Sequence, residues 1–486
     1  MAFTKPAPTA PRDRISIPKR LVYGLGALVN NLLAAAIGVM AIVLNLGLGM
    51  DPAIVGLLMA LPRLTDALTD PLMGYISDHT HSRWGRRRPY IFFGAILAGL
   101  VFMALWQVPP GHSQTFYFWF FLAGSIVFYI GYTIFATPWV ALGYEMTPDY
   151  NERTRLMGVA NFMGQIAYVA VPWFYMIMEN DRLFEDSVAG ARGLAIGVGL
   201  FTICVGILPA IFCRERMYKV AEKTEAELAE ADRRTWVQGL TANILSFFKG
   251  FLITIRFRPF LKLCLATFLV FNGFMLIASF TSYVIIYYLY EGDKDAGARL
   301  MGWVGTASAI GTFAVIPIVT WLATRIGKRR AFFFAIAVSI FGYAFKWFCY
   351  SPEHPWLLLV ATPFISFGLG GLFTLMGSMV ADVCDLDELE TGHRREGMFG
   401  SIFWWVVKLG MALALGFSGV LLNATGFDVG LGGAQSETTL LMMRLFDVGV
   451  PVITSAIAIW AVASYPITEK VAQEVRAKLE ARRGTS

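Results

Sequence analysis

Apolar residues run along this chain in long blocks, and the charged residues are gathered into the gaps between them. The blocks predict twelve membrane-spanning helices, at roughly 21–49, 53–78, 90–108, 115–145, 156–179 and 192–212, then 259–290, 299–324, 331–350, 356–381, 397–424 and 438–465. About 20 residues at a rise of 1.5 Å each cross a hydrocarbon core of about 30 Å, so every block is long enough. The longest gap, 213–258, parts the spans into two sets of six. Its Lys219–Trp236 portion, KVAEKTEAELAEADRRTW, is rich in good helix formers and predicts a solvated amphipathic linker helix. The layout is therefore a segment 1–20, a six-helix bundle 21–212, a linker 213–258, a second six-helix bundle 259–465 and a tail 466–486.

The two sets repeat one another weakly. The second span ends in GYISDHTHSRWGRRRPYIFFG and the eighth in WLATRIGKRRAFFFA, each a basic cluster after Gly that leads into an aromatic-rich span. The fourth ends in GYEMTPDYNERTRLMG and the tenth in VADVCDLDELETGHRREGMFG, each placing acids, then Arg, then a small residue. The expected fold is an all-α membrane protein with twelve transmembrane helices in two pseudo-repeated halves. That pattern places a substrate site near the membrane midplane, between the halves.

Composition agrees: the chain has 486 residues, 56% of them hydrophobic and only 15% charged, with a mean hydropathy of +0.59. Soluble domains of this size do not read this way. The net charge of +6 would suggest nucleic acid in a soluble protein, but its source is local. The segments 1–20, 79–89, 146–155, 213–258, 325–330, 382–396 and 466–486 hold 31 of the 40 Lys and Arg, and the opposite loops hold two, Arg182 and Lys294. That asymmetry places both termini in the cytoplasm of a plasma (inner) membrane protein. The first twenty residues are polar and basic, unlike a cleavable signal. The five cysteines form no CxxC pair, so neither a disulfide framework nor a zinc site is expected. HExxH, GxSxG and P-loop motifs are absent from the sequence, and all five histidines fall in loops or at span ends, which argues against an enzyme.

The chemistry concentrates in Arg63–Tyr90, RLTDALTDPLMGYISDHTHSRWGRRRPY. Arg63, Asp66 and Asp70 follow at steps of three and four and so share one helix face. The two carboxylates stand about 6 Å apart along the axis. Charge in the middle of a span costs about 2.5–3.5 kcal/mol on the insertion scale, so such residues face a protein interior and act there. They form a candidate cation site. The basic loop Arg83, Arg86, Arg87 and Arg88 follows directly. Asp78, Arg86, Arg87 and Arg88, with Glu145, Arg153 and Arg155 at the fourth-to-fifth connection, are candidates for a cytoplasmic gate. The expected pairs join Asp78 to the arginines after it, and Arg153 and Arg155 to Glu145 and Asp149. Lys408 lies about twelve residues into its span, too deep to reach the surface, whereas Lys262, Lys346, Arg444 and Asp447 lie nearer span ends, where snorkelling or local pairing is expected.

The stretches DALTDPLMGYISDHTHSRWGRRRP, TPWVALGYEMTPDYNERTR and MVADVCDLDELETGHRREGMFGSIFWWVVKLG, in that order, resemble the melibiose-permease-type glycoside–pentoside–hexuronide:cation symporters of the major facilitator superfamily. The resemblance implies that Asp66 and Asp70 bind the coupling Na⁺, Li⁺ or H⁺. It also implies that Thr133 lies near the cation, that Lys408 links cation and sugar sites, and that Arg63 is the arginine one turn outward. The sugar-binding half departs from the pattern. Asn30 and Asn31 stand where that type carries a Lys–Asp pair, Ala136 replaces its aspartate, Val140 its tryptophan (with Trp139 beside it), and Asn161 its arginine. Thr69 replaces a sodium-coordinating Asn, which favours H⁺ over Na⁺.

The expected function is symport of a neutral glycoside with H⁺ or Na⁺ by alternating access, with no further cofactor and no metal. The candidate substrate residues are Tyr23, Asn30, Asn31, Trp139, Asn161, Gln165, Trp404 and Trp405, a set of amides and aromatic faces. Two alternatives stand beside it. One keeps the fold but carries an amphipathic molecule such as a lysolipid or aromatic glycoside, and the other is a non-transporting membrane sensor. The expected partners are the substrate and the lipid bilayer, with the monomer as the working unit.

Overall fold

A computed structural model describes residues 14–80, 82–109, 111–147, 150–215, 256–391 and 396–482. The linker helix expected at Lys219–Trp236 lies outside the described residues, as do the side chains of Asp66, Asp78 and Arg153 and the whole of Asp149. Among the described residues there are helices and turns and no strand.

In chain order the helices are α1 (Ile17–Met40), α2 (Ile42–Leu46), α3 (Pro52–His79), α4 (Arg88–Leu105), α5 (Gln114–Glu145), α6 (Tyr150–Ala170), α7 (Phe174–Met178), α8 (Ser187–Gly206) and α9 (Leu208–Phe212). After the linker come α10 (Arg258–Tyr283), α11 (Lys294–Ile326), α12 (Lys328–Cys349), α13 (Leu358–Thr391), α14 (Glu396–Ala424), α15 (Glu437–Ala463) and α16 (Glu469–Arg482). Ten helical stretches among the described residues are long and apolar enough to cross a membrane. The second and fifth expected spans, α3 and α6, are not among them. In α3 the side chains of 66–68 lie outside the described residues, which leaves Pro52–Thr65 as a shorter apolar stretch, and in α6 Asn161 and Gln165 lower the hydropathy.

The chain divides into two compact units. The first holds the described parts of 1–40, 65–174 and 187–244, and the second those of 41–64, 175–186 and 245–486. In the first unit α4 packs on α5 and α8, and α1 on α6. Gly94 allows the α4–α5 approach, because a Cβ there would stand 2.5 Å from the Phe135 nitrogen. Phe102, Phe121 and Phe128 are fully buried beside Trp106, with Phe102–Phe128 and Trp106–Phe121 centroids both 5.6 Å apart.

The core of the second unit is built from α10, α11, α12, α13, α14 and α15 around Phe260, Val319, Phe332, Leu372, Met376 and Phe399. A Cβ at Gly371 would come within 2.5 Å of the Ala335 Cβ, so α12 and α13 meet only because a glycine stands there. Gly327, at φ +84°, is the one-residue joint between α11 and α12. The segment 41–64 is fastened to this unit by polar bonds. The Tyr283 hydroxyl donates to Asn45 Oδ1 (2.9 Å), and Asn423 Nδ2 donates to both Asp51 oxygens (2.9 and 2.8 Å). Helix α16, within the expected tail, buries Val475 and Leu479 and packs on α13.

Lys346 and Asp447, for which the sequence offered snorkelling or local pairing without naming partners, pair with each other across α12 and α15, and the pair is fully enclosed. Lys346 Nζ lies 2.7 Å from Asp447 Oδ2, with side chains 5% and 0% exposed. Arg444, one turn before Asp447, is held between the rings of Tyr288 (4.1 Å) and Trp347 (4.4 Å). Lys262 donates to the Ser464 carbonyl.

Candidate functional site

Helix α5 brings two threonines to the Asp70 carboxylate. Thr133 and Thr137 are four residues apart and therefore share one face. Both hydroxyls donate to Asp70 Oδ1 at 3.2 Å. Thr69 Oγ1 lies 3.3 Å from Thr133 Oγ1 and donates to the Thr65 carbonyl at 3.0 Å. Four side-chain oxygens of α3 and α5 thus meet, with Thr133 buried and Asp70 half-buried. Pro138, next to Thr137, gives no N–H to the carbonyl one turn before it, a local break in an otherwise regular span. Hard cations take oxygen ligands of this kind, and a carboxylate can also take a proton directly. Thr133 and Thr69 are thus brought to Asp70. Thr137 is an addition that its position, one face with Thr133 and just before Pro138, could have signalled.

Arg63 is half-buried on α3, and Lys408 is half-buried on α14, in the second unit. Trp404 precedes Lys408 by four residues on the same helix face.

A second polar string runs through the first unit. Tyr132 OH donates to Asn30 Oδ1 (2.9 Å), and Asn30 Nδ2 donates to Asn31 Oδ1 (3.1 Å). The Asn31 amide in turn lies against α6, 2.6 Å from where a Cβ at Gly164 would stand. On α6, Asn161 is exposed and Gln165 half-buried, one turn apart. Tyr132 was not singled out in the sequence, since one tyrosine in FYIGYTIF reads as packing.

Tyr23 and Trp139 need a correction. Both are buried, at 1% and 6% exposure, with rings stacked at 5.1 Å and 23°. Trp139 Nε1 donates to the Tyr23 carbonyl at 3.2 Å. Gly26 and Gly143 receive these rings, because a Cβ at either would stand 2.2 and 2.1 Å from the Trp139 nitrogen and the Tyr23 oxygen. The pair packs α1 on α5 and presents no aromatic face to a ligand. Trp404 is 55% exposed and Trp405 half-buried.

The charged cluster at the α3–α4 turn is paired differently from expectation. Arg86 and Arg87 both bind Glu145, the last residue of α5, with Arg87 at 2.8 Å. The Glu215 carboxylate accepts the backbone N–H groups of Arg86 (3.0 Å) and Arg87 (2.7 Å). It fills the ready anion site at the start of α4. Arg88 donates to the carbonyls of Ala210 and Ile211 (2.5 and 2.9 Å). Arg155 pairs with Glu152 (3.4 Å) instead of Glu145, because Glu152 lies within a turn of it on α6. Any pairing of Asp78 or Arg153 lies outside the described side chains.

Glu152 also accepts the Ile15 N–H (2.9 Å) and the Arg20 guanidinium (2.5 Å), fixing the residues that precede α1. Burial alone would push its carboxyl up, but the Ile15 N–H and Arg20 outweigh burial and hold it below the ordinary carboxylate range. A lowered carboxylate contributes its full stability above its unfolded value and loses it as pH falls through the lowered one. The Ile15 amide is therefore expected to stay protected from hydrogen exchange at neutral pH and to lose protection only below the usual carboxylate range. Glu152→Gln should release it at pH 7. Equal protection in the variant at pH 7 would show that the carboxylate does not hold this segment.

The fold and the charged, oxygen-lined site inside an apolar bundle define the class, a multi-pass membrane transporter. Residues 22–469 match the MFS/sugar transport protein family, and the chain belongs to it. That family agrees with the resemblance its motifs carried, and the chain is a transporter, not an enzyme. It is 24% identical to the isoprimeverose transporter of Lactiplantibacillus pentosus, over 98% of this chain and 94% of that one. It is 22% identical to the human sodium-dependent lysophosphatidylcholine symporter 1, over 99% of this chain and 91% of that one. Among solved structures, a bacterial homolog of the human lysosomal transporter Spinster shares the fold, with a TM-score of 0.67 and 16% identity over 93% of this chain and 98% of that one.

Proposed function

We propose that this transporter moves a neutral glycoside in symport with H⁺ or Na⁺ by alternating access, from a plasma (inner) membrane with both termini in the cytoplasm. One observation carries the coupling: Asp70, on a span, is met by the hydroxyls of Thr133 and Thr137, with Thr69 beside them. Asp66, on the same helix face by its spacing, is the second carboxylate of the proposed site. A proton neutralises such a pair. A sodium ion uses the same carboxylates together with the threonine oxygens, more of which gather at Asp70 than Thr69 alone promised. Lys408 is the proposed coupling residue and Arg63 its companion on α3. Cation binding that frees the lysine raises substrate affinity, and linkage then makes substrate tighten the cation by the same factor.

Asn30, Asn31, Asn161 and Gln165 are proposed to meet the hydroxyls of the substrate, joined by Tyr132. The relative named as an isoprimeverose transporter supports a sugar. An amphipathic substrate is the second reading, favoured by the exposed Trp404 and by the lysophosphatidylcholine relatives. The paired arginines at Glu145 are proposed as part of the cytoplasmic gate.

The test is uptake of a radiolabelled glycoside panel into proteoliposomes. In sodium-free medium an imposed pH gradient should drive accumulation if the ion is H⁺. Uptake restored only by millimolar Na⁺ would assign Na⁺. Absence of uptake under either gradient would leave the sensor reading. If the ion is Na⁺, Thr137→Val should lower apparent cation affinity roughly tenfold or more, the value of one hydrogen-bonding oxygen on a charged site, and if it is H⁺ the loss of a donor to the carboxylate should instead raise proton affinity by a like factor. An unchanged cation dependence would remove Thr137 from the site. Lys408→Ala should leave substrate affinity independent of the coupling ion, and a retained dependence would make Lys408 structural only.

A further inference from the structure

Glycines in the second unit do two different jobs. At Gly342 and Gly371 an added Cβ would strike the neighbouring helix, 2.8 Å from the Ile365 nitrogen and 2.5 Å from the Ala335 Cβ, so their smallness is used for contact. Gly377 on α13 and Gly400 on α14 are unlike them. A Cβ at either would meet no side chain and no neighbouring helix within 4 Å among the described residues. The two glycines open on the same cleft, of about 170 Å³. Phe373, Met376, Val380, Phe403 and Trp404 wall it, with no charged, amide or hydroxyl side chain among the described lining residues. Phe373 and Trp404 stand parallel at its edge, centroids 6.1 Å apart at 10°, and are 40% and 55% exposed.

The size and chemistry of this cleft suit one kind of group. An enclosed apolar cavity of about 150 Å³ takes a benzene-sized molecule, so this open cleft has room for one ring. Aromatic walls with no described polar side chain beside them to meet hydroxyls suit a ring or a short alkyl chain over a hydroxylated sugar face. The cleft is also placed for an amphipathic ligand, since Trp404 lies one helical turn from Lys408 on the same face of α14.

We propose that the α13–α14 cleft is a subsite for the apolar aglycone of the transported molecule, one aromatic ring or a short alkyl chain, so that this transporter prefers amphipathic glycosides to free sugars. The proposal rests on the glycoside-symporter reading above and narrows its substrate class.

Leucine at Gly400 or Gly377 fills the cleft without endangering the fold. Both positions are helical, both have open space at the Cβ, and leucine is the better helix former. The protein is placed in lipid nanodiscs, since alkyl-glycoside detergents would compete. Binding of a methyl glycoside and the 4-nitrophenyl glycoside of the same sugar is measured across a panel of sugars. The wild type should bind the nitrophenyl compound roughly tenfold or more tightly than the methyl one. Gly400→Leu, and independently Gly377→Leu, should bring that ratio to about one while leaving the methyl glycoside affinity in place. A ratio unchanged in both variants, or equal losses for both ligands, overturns the subsite alone. Binding of no glycoside at all overturns the symporter reading and the subsite with it. Nanodiscs of brominated phospholipid supply one more outcome: if Trp404→Phe removes most of the fluorescence quenching, bilayer chains occupy the cleft and the proposal falls.

Discussion

Asp70→Asn is expected to reduce substrate accumulation to equilibration, an internal-to-external ratio of about one, under either a proton or a sodium gradient. The substitution separates charge from structure. Asparagine keeps an oxygen that can accept the Thr133 and Thr137 hydroxyls now 3.2 Å from Asp70 Oδ1, so α3 and α5 retain their contact. What it removes is the only charge in that cluster of four oxygens. Hydroxyl oxygens alone hold neither a proton nor a sodium ion against water, and the amide and three hydroxyl dipoles that remain do not replace a carboxylate. Asp66→Asn is expected to act alike, because a single carboxylate does not complete the site. Exchange of labelled for unlabelled substrate should survive in part, as it needs no net cation movement. The measurement is the steady-state ratio in proteoliposomes, read beside counterflow. Concentrative uptake by the Asp66→Asn/Asp70→Asn protein would remove the coupling role from both residues.

How far the sequence spoke depended on whether its signals were local. Apolar blocks located the spans because burial in lipid acts on a whole helix. The weak block, α6, was weak for the reason that makes it interesting, Asn161 and Gln165. Asp70 was legible from its spacing, whereas Thr133 came only through the family resemblance. Thr137 was missed because a lone hydroxyl in a span normally bonds its own backbone. The Arg86 and Arg87 cluster was visible as charge, but its partners were not. Glu215 lies 129 residues from Arg86 in sequence, and no local pattern announces a carboxylate that reaches back across that distance. Tyr23 and Trp139 misled for the opposite reason. Aromatic residues suit sugar faces and cores equally, and the glycines that seat this pair, Gly26 and Gly143, belong to other turns of their helices.

The enclosed pair in the second unit carries the largest expected effect on stability. Asp447 Oδ1 accepts the Thr281 hydroxyl (2.7 Å), and Oδ2 accepts the Tyr350 hydroxyl (2.5 Å) and lies 2.7 Å from Lys346 Nζ. Lys346 also donates to Thr281 at 2.8 Å, so α10, α12 and α15 are joined through one carboxylate. With both charges enclosed, removing one leaves the other without compensation. Lys346→Met or Asp447→Leu alone should each cost about 3–5 kcal/mol, whereas replacing both with apolar residues is often close to neutral. The expected result is two unstable single variants and a Lys346→Met/Asp447→Leu protein near wild-type stability, read by thermal unfolding in the same detergent. Two further arms sharpen the reading. A double variant as unstable as the sum of the singles would show that the hydrogen bonds of Thr281 and Tyr350, and not the charge pair, hold the three helices. A double variant that is stable but accumulates no substrate would move Lys346 and Asp447 from the scaffold into the transport cycle, since Asp70 and its threonines are untouched by the change.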